Sequence, residues 1–251
     1  MPLEGKTALI TGSGRNIGRA TALALAAEGV NIVVNARANQ AEVDSVAGEV
    51  RALGVHALPV LADVADRAAV DSMVSQAMEE FGGIDILISN VAIRPHRPFL
   101  EVSDDEWVRI RSVILDGAIY CSQAAIPSMV ERGWGRVIYM TGSGTYRGGG
   151  NRAHVSAAKM GLAGLARSLA LEMAPHNITV NVISPGTIDT VHDASWYPEG
   201  VPESRAHWEV PLGRAGSPDD IAGACRYLVS DAGAYVTGQT LHVNGGLFLG
   251  W

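Results

Sequence analysis

The chain has 251 residues, 47% of them hydrophobic, with 19 Lys plus Arg against 26 Asp plus Glu, a formal charge of −7 and only 2 cysteines. That composition excludes disordered and collagen-like chains and suits one large α/β domain, because parallel-sheet folds commonly reach ~250 residues around one core. No basic tract supplies the patch that nucleic acid requires, so a nucleic-acid partner is not expected.

The opening stretch MPLEGKTALITGSGR reaches apolar residues without a basic leader and meets glycines within a few positions. It reads as a buried strand at Thr7–Thr11, not as a signal peptide. A glycine-rich turn follows, then a predicted helix over Ile17–Ala27. Strands are predicted next at Val30–Asn35, Ala57–Leu61, Ile84–Ser89, Arg136–Met140, Ile178–Ile183 and Thr240–Val243. Between them, helical spacing marks Ala41–Leu53, Ala68–Phe81, Trp107–Val130, Ala153–Met173 and Pro218–Leu228. The strands are short and apolar without strict alternation, as expected of strands covered on both faces. Their regular exchange with helices predicts an α/β fold, a doubly wound parallel sheet of about seven strands.

No repeat or linker divides the chain, so residues 1–251 are expected to form one domain. The irregular stretch 189–214, with Trp196, Tyr197 and Trp208, is expected to be a substrate lid, because long loops in compact domains commonly cover binding sites. Cys121 and Cys225 lie in apolar helical segments without CxxC spacing and read as reduced core thiols. No run approaches ~18 consecutive apolar residues, so no membrane association and a cytoplasmic location are expected. No cluster of ligands has metal-binding spacing, and no metal is expected.

The first strand runs into Thr11-Gly12-Ser13-Gly14-Arg15-Asn16-Ile17-Gly18. Glycines there let backbone N–H groups approach a diphosphate at a helix N-terminus. The spacing is TGxxxGxG, with Ile17 where the commoner GxGxxG fingerprint has its third glycine. Further along stand Asp63-Val64, Asp85-Ile86-Leu87-Ile88-Ser89-Asn90, Lys159 in a helix, Ser184-Pro185-Gly186, Thr237-Gly238 and Val243-Asn244-Gly245-Gly246. With these motifs in this order, nearly the whole chain resembles the classical short-chain dehydrogenase/reductase (SDR) family, whose fold is Rossmann-like.

The resemblance implies a nicotinamide coenzyme and assigns residues to it. Gly12, Ser13, Asn16, Ile17 and Gly18 form the diphosphate turn, Asp63 and Val64 meet the adenine, and Asn90 lines the ribose side. Pro185, Gly186, Ile188 and Thr190 face the nicotinamide, and Lys159 binds its ribose. Asn16 stands where the family has a glycine, and asparagine tolerates left-handed backbone well. The second strand ends Asn35-Ala36-Arg37 with no carboxylate for the adenosine ribose of NAD. Arg15 and Arg37 are placed instead for a 2′-phosphate, so NADP(H) is favoured over NAD(H).

The family's proton donor is a tyrosine four residues before the lysine, and here that position is Val155. Its serine position is Gly142, beside Thr141 and Ser143, and its helix asparagine is Ile114. Replacing a general acid typically costs ~100- to 10,000-fold in rate, so the acid/base chemistry is expected to be modified. Candidate groups are Lys159, Ser143, His154 and Tyr146, with His96 and His192 as further histidines of suitable pKa. Arg94 and Arg97 suggest recognition of an anion. The small residues Ala153, Ala157, Ala158, Gly161 and Gly164 suit close helix packing, and the resemblance implies a homotetramer or homodimer.

The leading expectation is an NADP-dependent oxidoreductase acting on a small-molecule alcohol/carbonyl pair. The alternatives are a non-redox dehydratase or isomerase that keeps the nucleotide pocket, and a catalytically silent nucleotide-binding subunit.

Overall fold

The computed structural model describes residues 3–191 and 210–250. Most of the expected lid, including His192, Trp196, Tyr197 and Trp208, lies outside the described residues. The strands are β1 (Thr7–Ile10), β2 (Asn31–Ala36), β3 (Ala57–Leu61), β4 (Ile86–Ser89), β5 (Gly135–Met140), β6 (Ile178–Pro185) and β7 (Thr240–Val243). They form one seven-stranded sheet in the order β3-β2-β1-β4-β5-β6-β7, every pairing parallel. The order reverses between β1 and β4, and it is outside the carboxyl ends of strands at such a point that α/β sheets bind ligands.

The strands β1, β2, β4, β5 and β6 are buried on both faces over most of their length, which is why their sequences are apolar without alternation, whereas the edge strands β3 and β7 are only partly buried. One face carries α1 (Asn16–Ala26), α2 (Gln40–Ala52) and α8 (Pro218–Val229), packed on Ala8, Ile10, Ile32, Val34, Ile86 and Ile88. The other carries α3 (Arg67–Phe81), α4 (Asp104–Arg111), α5 (Gly117–Arg132) and α7 (Ala153–Met173), the last preceded by the short α6 (Ser143–Arg147), packed on Leu9, Val33, Leu87, Val137 and Val180. Adjacent residues such as Ala8 and Leu9 therefore enter opposite cores. Cys121 lies in one core and Cys225 in the other, both as free thiols. Burial pushes each thiol up to about 12, which keeps them as inert apolar fillers.

The helix predicted over Trp107–Val130 is α4 and α5 joined by a π-helical turn, Ser112–Asp116. It begins earlier than expected because Ser103 caps it, accepting the Glu106 N–H at 3.2 Å. Asp104–Arg132 is long and apolar enough to cross a membrane by length and composition. Here its apolar side is occupied by α3, β4 and β5. Ile114, at the centre of the π turn, is 2% exposed and belongs to the core.

On α7, Gly161 packs inside the chain, where a Cβ would lie 2.9 Å from a methyl of Leu115 and make that side chain shift. Ala158 is likewise buried, whereas Ala153, Ala157 and Gly164 are exposed. The small-residue series thus divides between an internal and an outward face.

Candidate active site

The turn between β1 and α1 is built by close packing. A Cβ at Gly18 would stand 2.3 Å from the Gly12 carbonyl oxygen, and Gly12 has φ +64° with Val91 pressed against it. Asn16 takes the left-handed conformation, φ 51°, as its residue type allows. Asn39, Asp66, Ser103 and Ser217 cap α2, α3, α4 and α8 with side chains, but Arg15 at the start of α1 makes no such bond. The first-turn N–H groups of α1 are left for another partner, and the helix dipole favours an anionic one.

Two of the expected diphosphate donors are engaged elsewhere. The Gly12 N–H donates to Asn35 Oδ1 at 3.2 Å and the Ser13 N–H to the Asn35 carbonyl at 2.8 Å. The Ser13 side chain points into the core, donating to the Ile10 carbonyl at 2.7 Å and accepting the Asn35 N–H. Ser13 therefore supports the turn and does not offer its hydroxyl to a ligand. Asn90 ties the turn to β4, donating to the carbonyls of Thr11 and Gly12 at 3.1 and 3.2 Å.

A cavity of about 680 Å³ opens at the carboxyl ends of β1, β4, β5 and β6. It brings together Gly12, Arg15, Asn16, Ile17, Asn90, Ser143, Lys159, Pro185, Gly186, Ile188 and Thr190, all expected from the sequence. The volume lies within the range of cofactor and substrate sites. A free helix N-terminus, glycines at close approach and a basic side chain give a donor set that fits a dinucleotide. Asp63, Val64 and Arg37 are not among the lining residues. The Asp63 carboxylate accepts the Ala65 N–H at 3.0 Å, Val64 packs on Gly117, and Arg37 is exposed.

Lys159 is buried on the cavity wall and donates to the Thr141 carbonyl at 2.5 Å. Burial chiefly, with the charges of Arg94 and Arg152 acting in the same direction, lowers its pKa to about 7. Val155, one helical turn before it, lines the same cavity. A Cβ at Gly142 would meet only the Pro185 carbonyl at 3.9 Å and Lys159 Nζ at 4.0 Å, and its φ of 168° suits any residue. No tyrosine lines the cavity among the described residues.

Tyr146 turns away from the cavity. Its hydroxyl lies 3.3 Å from Thr240 Oγ1, and its ring packs against His242 and Phe248. His154, next to Val155, is rotated toward α4 and lies 3.9 Å from Glu106. Burial lowers its pKa, and neither ring nitrogen has a hydrogen-bond partner among the described residues. His96 receives Arg152 at 2.7 and 3.0 Å outside the lining. Of the two arginines named for anion recognition, Arg94 lines the cavity, whereas Arg97 pairs with Glu106 at 3.2 Å. The rotation between neighbouring residues, ~100° on a helix, separates wall from backing.

Sequence reasoning missed Asn35, Arg152 and the Thr141 carbonyl. Asn35 could have been found, because an amide in a strand buried on both faces must satisfy its hydrogen bonds nearby. Arg152 carries no such signal, being an ordinary residue before a helix.

A parallel doubly wound sheet with a basic cavity at its switch point defines a nucleotide-binding α/β protein. The chain belongs to the classical short-chain dehydrogenase/reductase family of oxidoreductases, and the family model described as Enoyl-(Acyl carrier protein) reductase matches residues 12–248. It is 37% identical over 250 residues to the 3-oxoacyl-[acyl-carrier-protein] reductase FabG of Escherichia coli, covering 99% of this chain and 100% of that one. It is 36% identical over 248 residues to the L-rhamnose 1-dehydrogenase (NAD(P)(+)) of a Sphingomonas species, covering 98% of each. Among solved structures it resembles a double mutant of a Serratia marcescens short-chain dehydrogenase/reductase, with TM-score 0.90 and 32% identity over 98% of this chain and 99% of that one.

Proposed function

We propose that this chain is an NADP(H)-dependent oxidoreductase that interconverts a small-molecule alcohol and carbonyl, with Lys159 as its acid/base group. The observation that carries this reading is the position of the Lys159 amine. It is buried on the cavity wall, hydrogen-bonded to the Thr141 carbonyl, and has a pKa pushed down to about 7. A group with that pKa can both hold and release a proton near neutral pH.

Arg15, Asn16, Ile17, Gly18 and the open N-terminus of α1 would hold the diphosphate, with Gly12 and Ser13 shaping the turn. Asp63 and Val64 would meet the adenine, and Arg15 and Arg37 the 2′-phosphate. Asn90, Lys159, Pro185, Gly186, Ile188 and Thr190 would surround the nicotinamide end. When bound, the nicotinamide gives or takes a hydride at the substrate carbon. During oxidation Lys159 Nζ takes the alcohol proton, and during reduction it returns a proton to the carbonyl oxygen. Ser143, buried on the wall, orients that oxygen through its hydroxyl. On the same reading the exposed small-residue face of α7 serves a homo-oligomer.

The test combines coenzyme binding with substrate-dependent oxidation of NADPH and NADH. NADPH is expected to bind more tightly than NADH, and Arg15→Ala with Arg37→Ala to remove about tenfold or more of that preference. Gly142→Ser with Val155→Tyr is expected to raise carbonyl reduction, since Gly142 has space for the side chain. Turnover without coenzyme oxidation would favour a non-redox enzyme, and tight binding without turnover a silent nucleotide-binding subunit.

A further inference from the structure

We propose that Lys159 is a nucleophilic amine that condenses reversibly with a small neutral aldehyde or ketone in the coenzyme-free cavity, forming a Schiff base. The inference goes beyond the oxidoreductase reading and does not depend on it, because the carbonyl carbon is attacked by the chain's own nitrogen and not by a hydride.

Among the 19 Lys plus Arg of the sequence, Lys6 and Lys159 are the only lysines. The distinction is chemical, since a guanidinium stays protonated whereas an amine can release a proton and expose a lone pair. The two amines have opposite surroundings. Lys6 Nζ meets the buried Asp85 carboxylate at 3.2 Å and lies 4.5 Å over the Trp134 ring, so it is occupied by a counter-charge and an aromatic face. Lys159 Nζ has one hydrogen-bond partner among the described residues, the Thr141 carbonyl at 2.5 Å, and no carboxylate among them pairs with it. Burial without a counter-charge favours the neutral amine, and desolvated lysines are the ones that form Schiff bases.

The amine is also within reach of a ligand. Lys159 is 7% exposed and lines the cavity of about 680 Å³. Gly142 lines the same cavity, and the place its Cβ would take is open space 4.0 Å from Nζ and 3.9 Å from the Pro185 carbonyl oxygen. Val155, one helical turn before the lysine, adds an apolar wall. A small carbonyl compound seated over Gly142 therefore brings its carbon against the amine. In the condensation the Nζ lone pair forms the C–N bond while the C=O π pair moves onto oxygen, which takes the proton that nitrogen gives up. The carbinolamine then loses its hydroxyl together with the second nitrogen proton as water, leaving C=N. One amine and one carbonyl give one Schiff base and one water, with nothing oxidised or reduced.

Reductive trapping on the coenzyme-free full chain tests this. The folded chain and the guanidinium-unfolded chain are each incubated with propanal or acetone and sodium cyanoborohydride at pH 7, and alkylation at Lys159, Lys6 and the α-amine is followed by peptide mass spectrometry. Lys159 is expected to be alkylated about tenfold or more faster in the folded chain than in the unfolded one, since each pKa unit below the ordinary lysine value raises the free-amine fraction about tenfold. That ratio should shrink toward one as the pH approaches about 10, where the unfolded lysine becomes a free amine as well. Gly142→Val, which fills the space beside Nζ, should slow Lys159 severalfold and leave Lys6 unchanged. Alkylation of Lys159 that is no faster in the folded chain at pH 7, a ratio that does not fall with rising pH, or an undiminished rate in Gly142→Val overturns the proposal. The result bears on the amine alone, because no coenzyme is present.

Discussion

Asn16 and Val191 are joined in both directions: the Asn16 amide donates to the Val191 carbonyl at 2.9 Å, and the Val191 N–H donates to Asn16 Oδ1 at 3.1 Å. The pair links the turn after β1 to the segment leaving β6, and both residues line the cavity. A residue suited to the turn by its left-handed backbone thus also ties two walls of the site together.

Removing that tie without disturbing the turn isolates its role. Asn16→Gly keeps a residue at ease at φ 51° and deletes both hydrogen bonds. The expected result is faster release of NADPH, by about fivefold or more, with little loss of stability. Stopped-flow coenzyme displacement measures this, and an unchanged dissociation rate would refute the role.

Asn35 holds the turn from below. Its amide donates to the carbonyls of Ala36, Val60 and Ala62 at 3.3, 3.4 and 3.1 Å while its oxygen accepts the Gly12 N–H. Asn35→Ala leaves several buried backbone groups unsatisfied and should destabilise the chain by about 2–4 kcal/mol. Coenzyme affinity should fall with it, because the turn loses its support. Denaturant unfolding with parallel titration checks both, and a loss below ~0.5 kcal/mol would contradict the account.

Lys159 has a lower proton affinity in the folded chain than in the unfolded one, its pKa falling from 10.5 to about 7. Between those values the unfolded chain binds more protons, so this group makes stability rise with pH through that window and weighs fully against folding below it. Lys159→Met should therefore stabilise the coenzyme-free chain by up to roughly 5 kcal/mol at low pH, with the gain fading above pH 7 and vanishing near 10.5. The same substitution should abolish turnover. Unfolding curves across pH that run parallel for the two proteins would disprove the depressed pKa.

His154 gives a slope of the same sign in the acid range. Burial lowers its pKa from 6.5, so the unfolded chain takes up the proton first and stability is lost as pH falls through and below 6.5. His154→Leu should flatten that decline and leave any redox rate unchanged, since the ring faces Glu106 and not the cavity. A collapse of the rate in this variant would return His154 to the list of proton donors.

The order of strands and helices, the glycine turn and the pairing of Val155 with Lys159 were legible in the chain itself. Each follows from a local rule: both-face burial makes apolar strands, close backbone approach demands glycine, and four residues make one helical turn, so Val155 and Lys159 must share a wall. The directions of Ser13, Tyr146, His154 and Arg97 were not legible in this way. Each stands within three residues of a group that lines the cavity, yet Ser13 enters the core, Tyr146 packs on His242, and His154 and Arg97 face Glu106. Which neighbour faces the cavity depends on how each helix and loop is rotated against the sheet, and that rotation is set by contacts with residues distant along the chain.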